Sequence, residues 1–401
     1  MTRHTCLAAA HLHPVSEPAI LPAVKPLSLN PSRLVRPLPI AAWVVLVASF
    51  AALAEVKLAA PAPAGPIPAT KWIAFPDPRL ETRGLPWLRE NEPDLWRLPR
   101  RAQGKVPKAV WSRAMAPDGG RIRFGSDTKW LGIRAQGMRN EKQRCFVDVW
   151  VGTNYAGSAS LVGTQQMDLV LFEKRDRTQA DITIYFPHKE EVRVLAVGVD
   201  ADARLTSSTA FALKRPFVCY GSSVMQGSGA THPSRTYPAA LARRLNLDFV
   251  NLGFGGAGKA EAEVVSLVNE LDACCWLFDL GKSYGNQSAE PYNRMLDTVR
   301  AAHPKDPIFC ITPIYSIKES TDAAYRERSV NLRAMMREAA LARQRAGDKL
   351  IFVVEGLELF GEPDKALFHD PTHPSDEGNE RMAQRLAPTV EKALLHHESS
   401  H

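Results

Sequence analysis

The hydrophobic and polar positions of this 401-residue chain follow different patterns before and after residue 216. Between residues 71 and 215, short runs alternate apolar and polar side chains, and Gly, Asn, Asp and Pro punctuate the gaps. Such alternation is typical of strands with one buried face, and no long helical pattern separates the runs. This region is predicted to be an all-β sandwich of jelly-roll-like type, with strands at 121–126, 129–136, 145–152, 167–173, 180–187 and 192–200.

Residues 216–397 show continuous apolar runs that alternate with helical segments. Strands that are apolar on both faces are typical of a parallel sheet with helices packed on each side. The region is therefore predicted to be an α/β domain. Its strands are expected at 217–220, 247–253, 274–281, 307–314 and 349–356, and its helices at 236–245, 259–271, 289–303, 321–346 and 376–396.

Residues 1–70 lack both patterns and are rich in Pro and Ala. An uncharged apolar run at 38–54 follows Arg33 and Arg36, ends in a small-x-small sequence, and precedes a proline-rich spacer at 61–66. This order of charge, apolar core and small residues is typical of a secretory signal. The protein is expected to be exported, with the signal cleaved or retained as a membrane anchor. The alternative is a buried core helix.

Composition and charge narrow the classes of partner. The chain is 45% hydrophobic and 23% charged, with a formal net charge of +7. It has no dense Lys/Arg cluster interleaved with aromatic residues, so nucleic-acid binding has little support. The cysteines form no C-x-x-C pair, and neither a metal nor an organic cofactor is expected. Most lie in apolar runs, where cysteine acts as a small buried hydrophobe; they are Cys6, Cys145, Cys219, Cys274, Cys275 and Cys310.

Most of the tryptophans lie in the predicted sandwich. Two interpretations stay open: a platform on which sugar rings stack, or ordinary core packing. Aromatic residues in a sandwich are more often core. The six residues concerned are Trp72, Trp87, Trp96, Trp111, Trp130 and Trp150.

Polar and glycine-rich segments follow the carboxyl ends of the predicted parallel strands, where such sheets bind their ligands. Together they offer a hydroxyl, an imidazole, a carboxylate and closely spaced backbone amides, which are the parts that acyl transfer needs. In chain order they are Gly221-Ser222-Ser223, "NLGFGG" at 251–256, "DLGKSYGN" at 279–286, and Asp370 with His373.

Each of these segments also has a purely structural interpretation. A serine after a strand often caps the next helix, as Ser223 would here, and Asp-x-x-His is compatible with a surface turn. A phosphate-binding loop is less well supported, because residues 221–229 lack the Gly-Lys-Ser/Thr ending of a P-loop. Met225 also stands where the nucleophile elbow of α/β-hydrolases has glycine. The ordered combination favours a serine nucleophile.

In combination these segments resemble the SGNH (GDSL-type) hydrolase superfamily, whose members share a flavodoxin-like sheet. Residues 221–223 are similar to its Gly-Asp-Ser block, with serine in the aspartate position. Gly256 matches the glycine that ends the second block, and Asp370 and His373 match the final Asp-x-x-His block.

The third block of the family has Gly-x-Asn-Asp, and here "LGKSYGNQ" is its closest counterpart. Asn286 is the nearest asparagine, while Lys282 and Ser283 are the alternatives. Upstream, "EPDLWRLP" at 92–99 resembles the Gly-x-Asp-Leu-Tyr segment of members with a preceding β-sandwich. The resemblance extends over residues 72–396.

The resemblance implies an exported serine esterase that removes acyl groups, acetyl above all, from carbohydrate or small-molecule esters. Ser223 would be the nucleophile, His373 the base and Asp370 its orienting carboxylate. The oxyanion hole would comprise the backbone N–H groups of Ser223 and Gly256 and the Asn286 amide. The alternative is a non-catalytic carbohydrate-binding or cell-surface protein built on a decayed hydrolase.

Overall fold

The structure is a computed structural model that describes residues 70–173 and 175–398. The predicted export segment at 38–54, the spacer at 61–66 and Cys6 lie outside these ranges. Within them, no helix is both long and apolar enough to cross a bilayer.

The region predicted to be a sandwich consists of two antiparallel sheets. Their strands are β1 (Thr70–Ala74), β2 (Glu81–Arg83), β3 (Arg121–Ser126), β4 (Leu131–Gly137), β5 (Arg144–Val151), β6 (Asn154–Val162), β7 (Gln166–Phe172), β8 (Ala180–Tyr185), β9 (Val192–Asp200) and β10 (Leu205–Thr206). Residues of both sheets, such as Ile133 and Phe124, share one buried apolar core. One sheet has the strand order β1-β9-β4-β7, and the other has the order β10-β3-β8-β5-β6 with β2 paired to β3.

The six predicted strands are confirmed, whereas four others were not predicted. The largest omission is β6, whose sequence NYAGSASLV is small and polar. It lies at the end of its sheet, and only Leu161 in it is buried. An edge strand of this kind lacks the alternation that sequence patterns detect.

The tryptophans of this region pack within the protein. None of the six is classed as exposed, and Trp87, Trp96 and Trp130 are buried. Trp72 and Trp130 meet edge to face, with ring centroids 6.0 Å apart and planes at 85°. Interlocked rings of this kind do not offer a flat stacking face, so the core interpretation is favoured.

Two short helices, α1 (Leu88–Asn91) and α2 (Lys108–Ala114), lie between β2 and β3. They flank the segment 92–99 that carries the upstream motif. Asn91 shapes this segment, because its side-chain amide donates to the carbonyls of Trp96 at 3.0 Å and Leu98 at 2.9 Å. This turn directs Arg97 away from the sandwich, toward the parallel sheet.

The downstream region forms a five-stranded parallel sheet, as predicted for the α/β domain. Its strands are β11 (Phe217–Gly221), β12 (Phe249–Gly253), β13 (Cys275–Asp279), β14 (Ile308–Ile311) and β15 (Ile351–Val354). They lie side by side in the order β12-β11-β13-β14-β15. Its helices are α3 (Ser223–Gln226), α4 (Tyr237–Leu245), α5 (Ala262–Val268), α6 (Ala289–Ala302), α7 (Lys318–Thr321), α8 (Ala323–Arg345), α9 (Gly356–Leu359) and α10 (Asp376–Glu398).

Alternate residues of each parallel strand enter different cores, since successive side chains of a strand point to opposite faces. Val218 and Tyr220 pack with α5, α6 and α8, whereas Phe217 and Cys219 pack with α4 and α10. The predicted role of cysteine as a buried apolar residue fits the described thiols, all of which are free and buried.

The strand order reverses direction at β11, the first strand of this sheet in sequence, because β12 pairs with one of its edges and β13 with the other. Ligand sites of open α/β sheets lie at this point, beyond the carboxyl ends of the strands. Gly221, Gly253 and Asp279 are the last residues of the three strands that meet there.

Candidate active site

The turn after β11 gives its two serines different tasks. Gly221 approaches β13 so closely that a Cβ there would lie 1.9 Å from the Asp279 carbonyl oxygen. Ser222 caps α3, because its Oγ accepts a hydrogen bond from Val224 N at 3.2 Å. Ser223 is therefore the first helical residue, and the alternative in which it serves as the cap is wrong. Serine and aspartate are both favourable helix caps, so serine at this position provides a normal start for α3.

Ser223, His373 and Asp370 form a continuous hydrogen-bonded row. Ser223 Oγ lies 2.8 Å from His373 Nε2, and His373 Nδ1 lies 2.8 Å from Asp370 Oδ2. The second carboxylate oxygen of Asp370 accepts from the backbone N–H groups of Thr372 at 2.7 Å and His373 at 2.9 Å. With Nδ1 protonated, the ring donates to Asp370 and accepts from the serine hydroxyl.

Asp370 is held in its charged form. Burial raises the pKa of this carboxyl, but hydrogen bonds from the His373 ring and from the backbone of Thr372 and His373 outweigh that effect and bring the pKa below its ordinary value. The carboxylate is ionised at neutral pH and accepts the hydrogen bond that orients the His373 ring.

The glycines after β12 border the Ser223 side chain. A Cβ on Gly255 would lie 3.2 Å from Ser223 Cβ. The Gly255 N–H donates to Gln226 Oε1 at 2.7 Å, and the Gly256 N–H donates to Ser283 Oγ at 3.1 Å. Gly256 has φ +68°, a conformation that favours glycine, and it is exposed to solvent.

The structure does not bring Asn286 to this site, which corrects the expectation for the third block. Residues Gly281–Tyr284 form a 3₁₀ turn that places Lys282 and Ser283 at the cleft beside Ser223. The chain then leaves the site at Gly285, whose φ is +70°, and Asn286 is exposed outside the cleft. The two residues kept as alternatives occupy the position instead.

An open cleft of about 590 Å³ surrounds Ser223 and His373. Four of its lining residues come from the antiparallel region, and the sequence contained no motif that identified them. The complete lining is Ser112, Arg113, Arg139, Lys189, Ser223, Gln226, Ser228, Gly255, Gly256, Lys282, Ser283 and His373.

A buried network joins the antiparallel region to the glycine loop. The Arg97 guanidinium is fully buried and donates to the carbonyls of Asn251 at 2.8 Å and Gly253 at 2.7 Å. It also pairs with Asp118 at 3.2 Å. The Asp118 carboxylate accepts from Gln226, whose other amide atom holds Gly255 N. The upstream segment thus supports the loop that borders the serine.

Two buried titratable groups lie behind the cleft. Burial raises the pKa of Asp279 to about 7, although a hydrogen bond from Tyr237 Oη at 3.0 Å and the charge of Lys282 favour the ionised form. Burial likewise lowers the pKa of Lys282 to about 8 against the opposing effect of Glu319, which lies 3.2 Å away. Both groups titrate near neutrality.

No trio of His, Cys, Asp and Glu side chains among residues 70–173 and 175–398 is arranged to hold a metal ion. What the described site offers is a hydroxyl joined to an imidazole and a carboxylate, bordered by backbone N–H groups. Such a set can activate an alcohol for attack on a carbonyl and can stabilise the resulting oxyanion.

Solved structures share this architecture at low sequence identity. A protein from Bacteroides ovatus described as a GDSL-like lipase has a TM-score of 0.70 and 23% identity, covering 81% of this chain and 98% of that one. A salicylyl-acyltransferase from a tetracycline biosynthetic pathway has a TM-score of 0.69 and 23% identity, covering 82% and 98%. A family two carbohydrate esterase from Cellvibrio japonicus has a TM-score of 0.58 and 14% identity, covering 81% and 98%.

Family comparisons are more specific than these likenesses in fold. No curated protein matches the chain significantly. Residues 70–205 match the N-terminus of SGNH-hydrolase-type esterases, and residues 214–391 match the GDSL-like lipase/acylhydrolase family. The chain therefore belongs to the SGNH (GDSL-like) family of carboxylic ester hydrolases and carries the N-terminal region found in esterases of that family.

Proposed function

We propose that this ester hydrolase is an exported serine esterase that removes acetyl groups from carbohydrate esters. The observation that carries the proposal is the hydrogen-bonded row of Ser223, His373 and Asp370 at the carboxyl ends of the parallel strands. Export rests on the sequence pattern of residues 1–70. The family two carbohydrate esterase among the structural neighbours points to the same substrate class.

In the proposed reaction, Ser223 Oγ attacks the ester carbonyl while His373 Nε2 takes its proton. The tetrahedral intermediate collapses when the imidazolium returns that proton to the departing alcohol oxygen, which leaves an acyl group on Ser223. Water, deprotonated by His373, then attacks the acyl carbonyl, and the imidazolium returns the proton to Ser223 Oγ as the C–O bond breaks and the carboxylic acid leaves. Asp370 orients the ring and stabilises its cation in both halves.

The oxyanion would be met by the backbone N–H groups of Ser223 and Gly256. Without substrate the Gly256 N–H donates to Ser283 Oγ, so it would exchange that acceptor for the oxyanion, and the Ser283 hydroxyl would donate its own proton there in place of Asn286. Each such donor contributes about 3 kcal/mol to transition-state stabilisation in comparable enzymes.

The lining of the cleft supports a short acyl group and a polar alcohol. Among the described residues, the cleft is lined by polar or charged side chains and by two glycines. A long acyl chain would find no aliphatic or aromatic side chain there to pack against and would gain little from binding. Acetyl esters of sugars match such a surface better than lipids do.

The alternative is a non-catalytic carbohydrate-binding or cell-surface protein, and the features that favour it are the altered first and third blocks, with serine in the aspartate position of the first. Ser222 supplies a helix cap at that position, so the loss does not by itself argue for decay. Turnover separates the two functions directly.

The test compares hydrolysis of p-nitrophenyl acetate, butyrate and octanoate, and acetate release from acetylated xylan. We expect wild type to prefer the acetyl ester and Ser223→Ala to lose roughly 10⁴-fold or more in kcat. Ser222→Ala is the matched control and should keep most of the wild-type rate. Absence of wild-type turnover on all of these esters would overturn the enzymatic function, and full activity of Ser223→Ala would overturn the choice of nucleophile.

A further inference from the structure

We propose that the natural substrate carries a fixed negative charge, such as a carboxylate or sulfate, next to the ester that is cleaved. This inference rests on the proposed esterase function and specifies its substrate class. It comes from the charges that surround Ser223, which a neutral glycan would leave unused.

The cleft is lined by four cationic side chains and by no Asp or Glu among the described residues: Arg113, Arg139, Lys189 and Lys282. Two of them hydrogen-bond only to backbone carbonyls, Arg113 to Ala109 O and Arg139 to Ser112 O. Neither forms an ion pair with a carboxylate in the described ranges. Guanidinium groups held by neutral carbonyls keep their full charge for a ligand.

The backbone of Lys189 has an unfavourable conformation. Its φ is +68°, in the left-handed region that is unfavourable for a residue with a Cβ. The buried Asp118 carboxylate fixes this conformation by accepting from Lys189 N at 3.1 Å, while the side chain remains exposed at the cleft. Glycine would adopt the same backbone conformation without strain. The presence of lysine at this strained position therefore points to a function of its ammonium group.

The acids near these cations are already committed to other partners. Asp118 pairs with the buried Arg97, and Glu319, the partner of Lys282, accepts two hydrogen bonds from Arg333 at 2.9 and 2.7 Å. Lys282 Nζ is itself buried, 3.2 Å from Glu319, so its charge acts on the cleft from beneath the surface, whereas Arg113, Arg139 and Lys189 can meet a ligand directly.

Two further carboxylates act on Lys189 only at longer range. Burial raises the pKa of Glu190 even though Arg139 and Lys189 favour its ionised form. Asp376 is engaged by Thr231, through the backbone N–H and the hydroxyl. Neither carboxylate lines the cleft, so the surface that a substrate meets is cationic.

The experiment compares phenyl acetate with 4-acetoxybenzoate, and acetylated xylan with acetylated polygalacturonate, at 20 mM and 300 mM NaCl. We expect kcat/KM to favour the anionic member of each pair at low salt, and the preference to shrink at high salt because added ions screen exposed charges. The aryl pair tests the charge on a small molecule, and the polymer pair tests it on a polysaccharide.

Variants assign the preference to particular side chains. Lys189→Gly removes the charge without backbone strain, and Arg139→Gln removes an exposed charge; each should reduce the anionic-to-neutral ratio of kcat/KM about three- to tenfold. Lys189→Arg should restore the ratio. The matched control is Lys305→Gln, because Lys305 is exposed in the loop before β14, at the opposite end of the sheet.

The outcomes separate this inference from the function on which it rests. Equal kcat/KM for charged and neutral esters, with activity that depends on Ser223, would overturn the charge preference and leave the esterase intact. An equal effect of Lys305→Gln and Lys189→Gly would also overturn it, because net charge alone would then explain the result. Absence of turnover on every ester overturns the esterase and the substrate class together.

Discussion

Replacing Arg97 with methionine tests the buried network that joins the two sheet regions. The guanidinium makes four hydrogen bonds to backbone carbonyls, two of them at the end of β12, and pairs with Asp118. Burial lowers the pKa of Arg97 and raises that of Asp118, and in each case the charge of the partner opposes the shift. Methionine fills much of the volume but leaves the carboxylate without its cation.

The expected loss follows from the burial of both partners, whose side chains are 0% and 1% exposed. Breaking a buried ion pair by removing one partner costs about 3–5 kcal/mol. Arg101→Met is the matched control: Arg101 pairs with Glu90 and Glu270, but 44% of its side chain is exposed. Removal of a surface pair costs about 1 kcal/mol or less.

Urea unfolding measures the free energy of unfolding for both variants, with the double variant Arg97→Met/Asp118→Leu as a third arm. The double variant should recover much of the loss, because an uncharged leucine needs no partner. Equal destabilisation by Arg97→Met and Arg101→Met would refute the importance of burial here. In the folded Arg97→Met protein kcat should also fall, since the carbonyls that lose their donor precede the glycine loop.

Three further outcomes test the site. Asp370→Asn should lower kcat for p-nitrophenyl acetate roughly 10²–10⁴-fold with little change in KM; a decrease smaller than threefold would contradict its orienting role. Ser222→Ala should reduce the free energy of unfolding by about 1 kcal/mol, measured in urea, as the α3 cap is lost; a thousandfold loss of kcat would show a catalytic role instead. Because folding raises the pKa of Asp279 from 3.8 to about 7, the folded state binds more protons between these values, and this group lowers stability as pH rises through them. The stability of Asp279→Asn relative to wild type should therefore increase from pH 4 to pH 7, and a constant difference would exclude the shift.

The fold was predictable where its signal is local. Runs such as 217–220 and 274–281 are apolar at every position, and a strand buried on both faces leaves no other pattern. The Gly221-Ser222-Ser223 segment, the glycine loop and the Asp-x-x-His segment were recognisable because each is a contiguous motif, although Ser222 and not Ser223 proves to be the helix cap. The edge strand β6 was not predicted because every residue in it except Leu161 is exposed or only partly buried.

The remainder of the site depends on contacts between residues distant in sequence. Arg97 reaches Gly253 across 156 positions, and neither residue carries a pattern that names the other. Sequence proximity favours Asn286, the nearest asparagine to the third block, but a 3₁₀ turn and a positive φ at Gly285 decide the course of the chain in that segment. Dihedral angles of this kind are not encoded in spacing.

The distribution of parts between the two regions bears on how the enzyme selects a substrate. Every group of the proposed chemistry lies in the α/β region, at or near the strand ends, whereas Ser112, Arg113, Arg139 and Lys189 reach the same cleft from the antiparallel region. The Arg97 network fixes the distance between them through buried, charge-assisted contacts. The antiparallel region is therefore better understood as one wall of the active site than as a separate binding module. Changes on that wall can alter which esters are accepted while the hydrogen-bonded row of Ser223 stays intact.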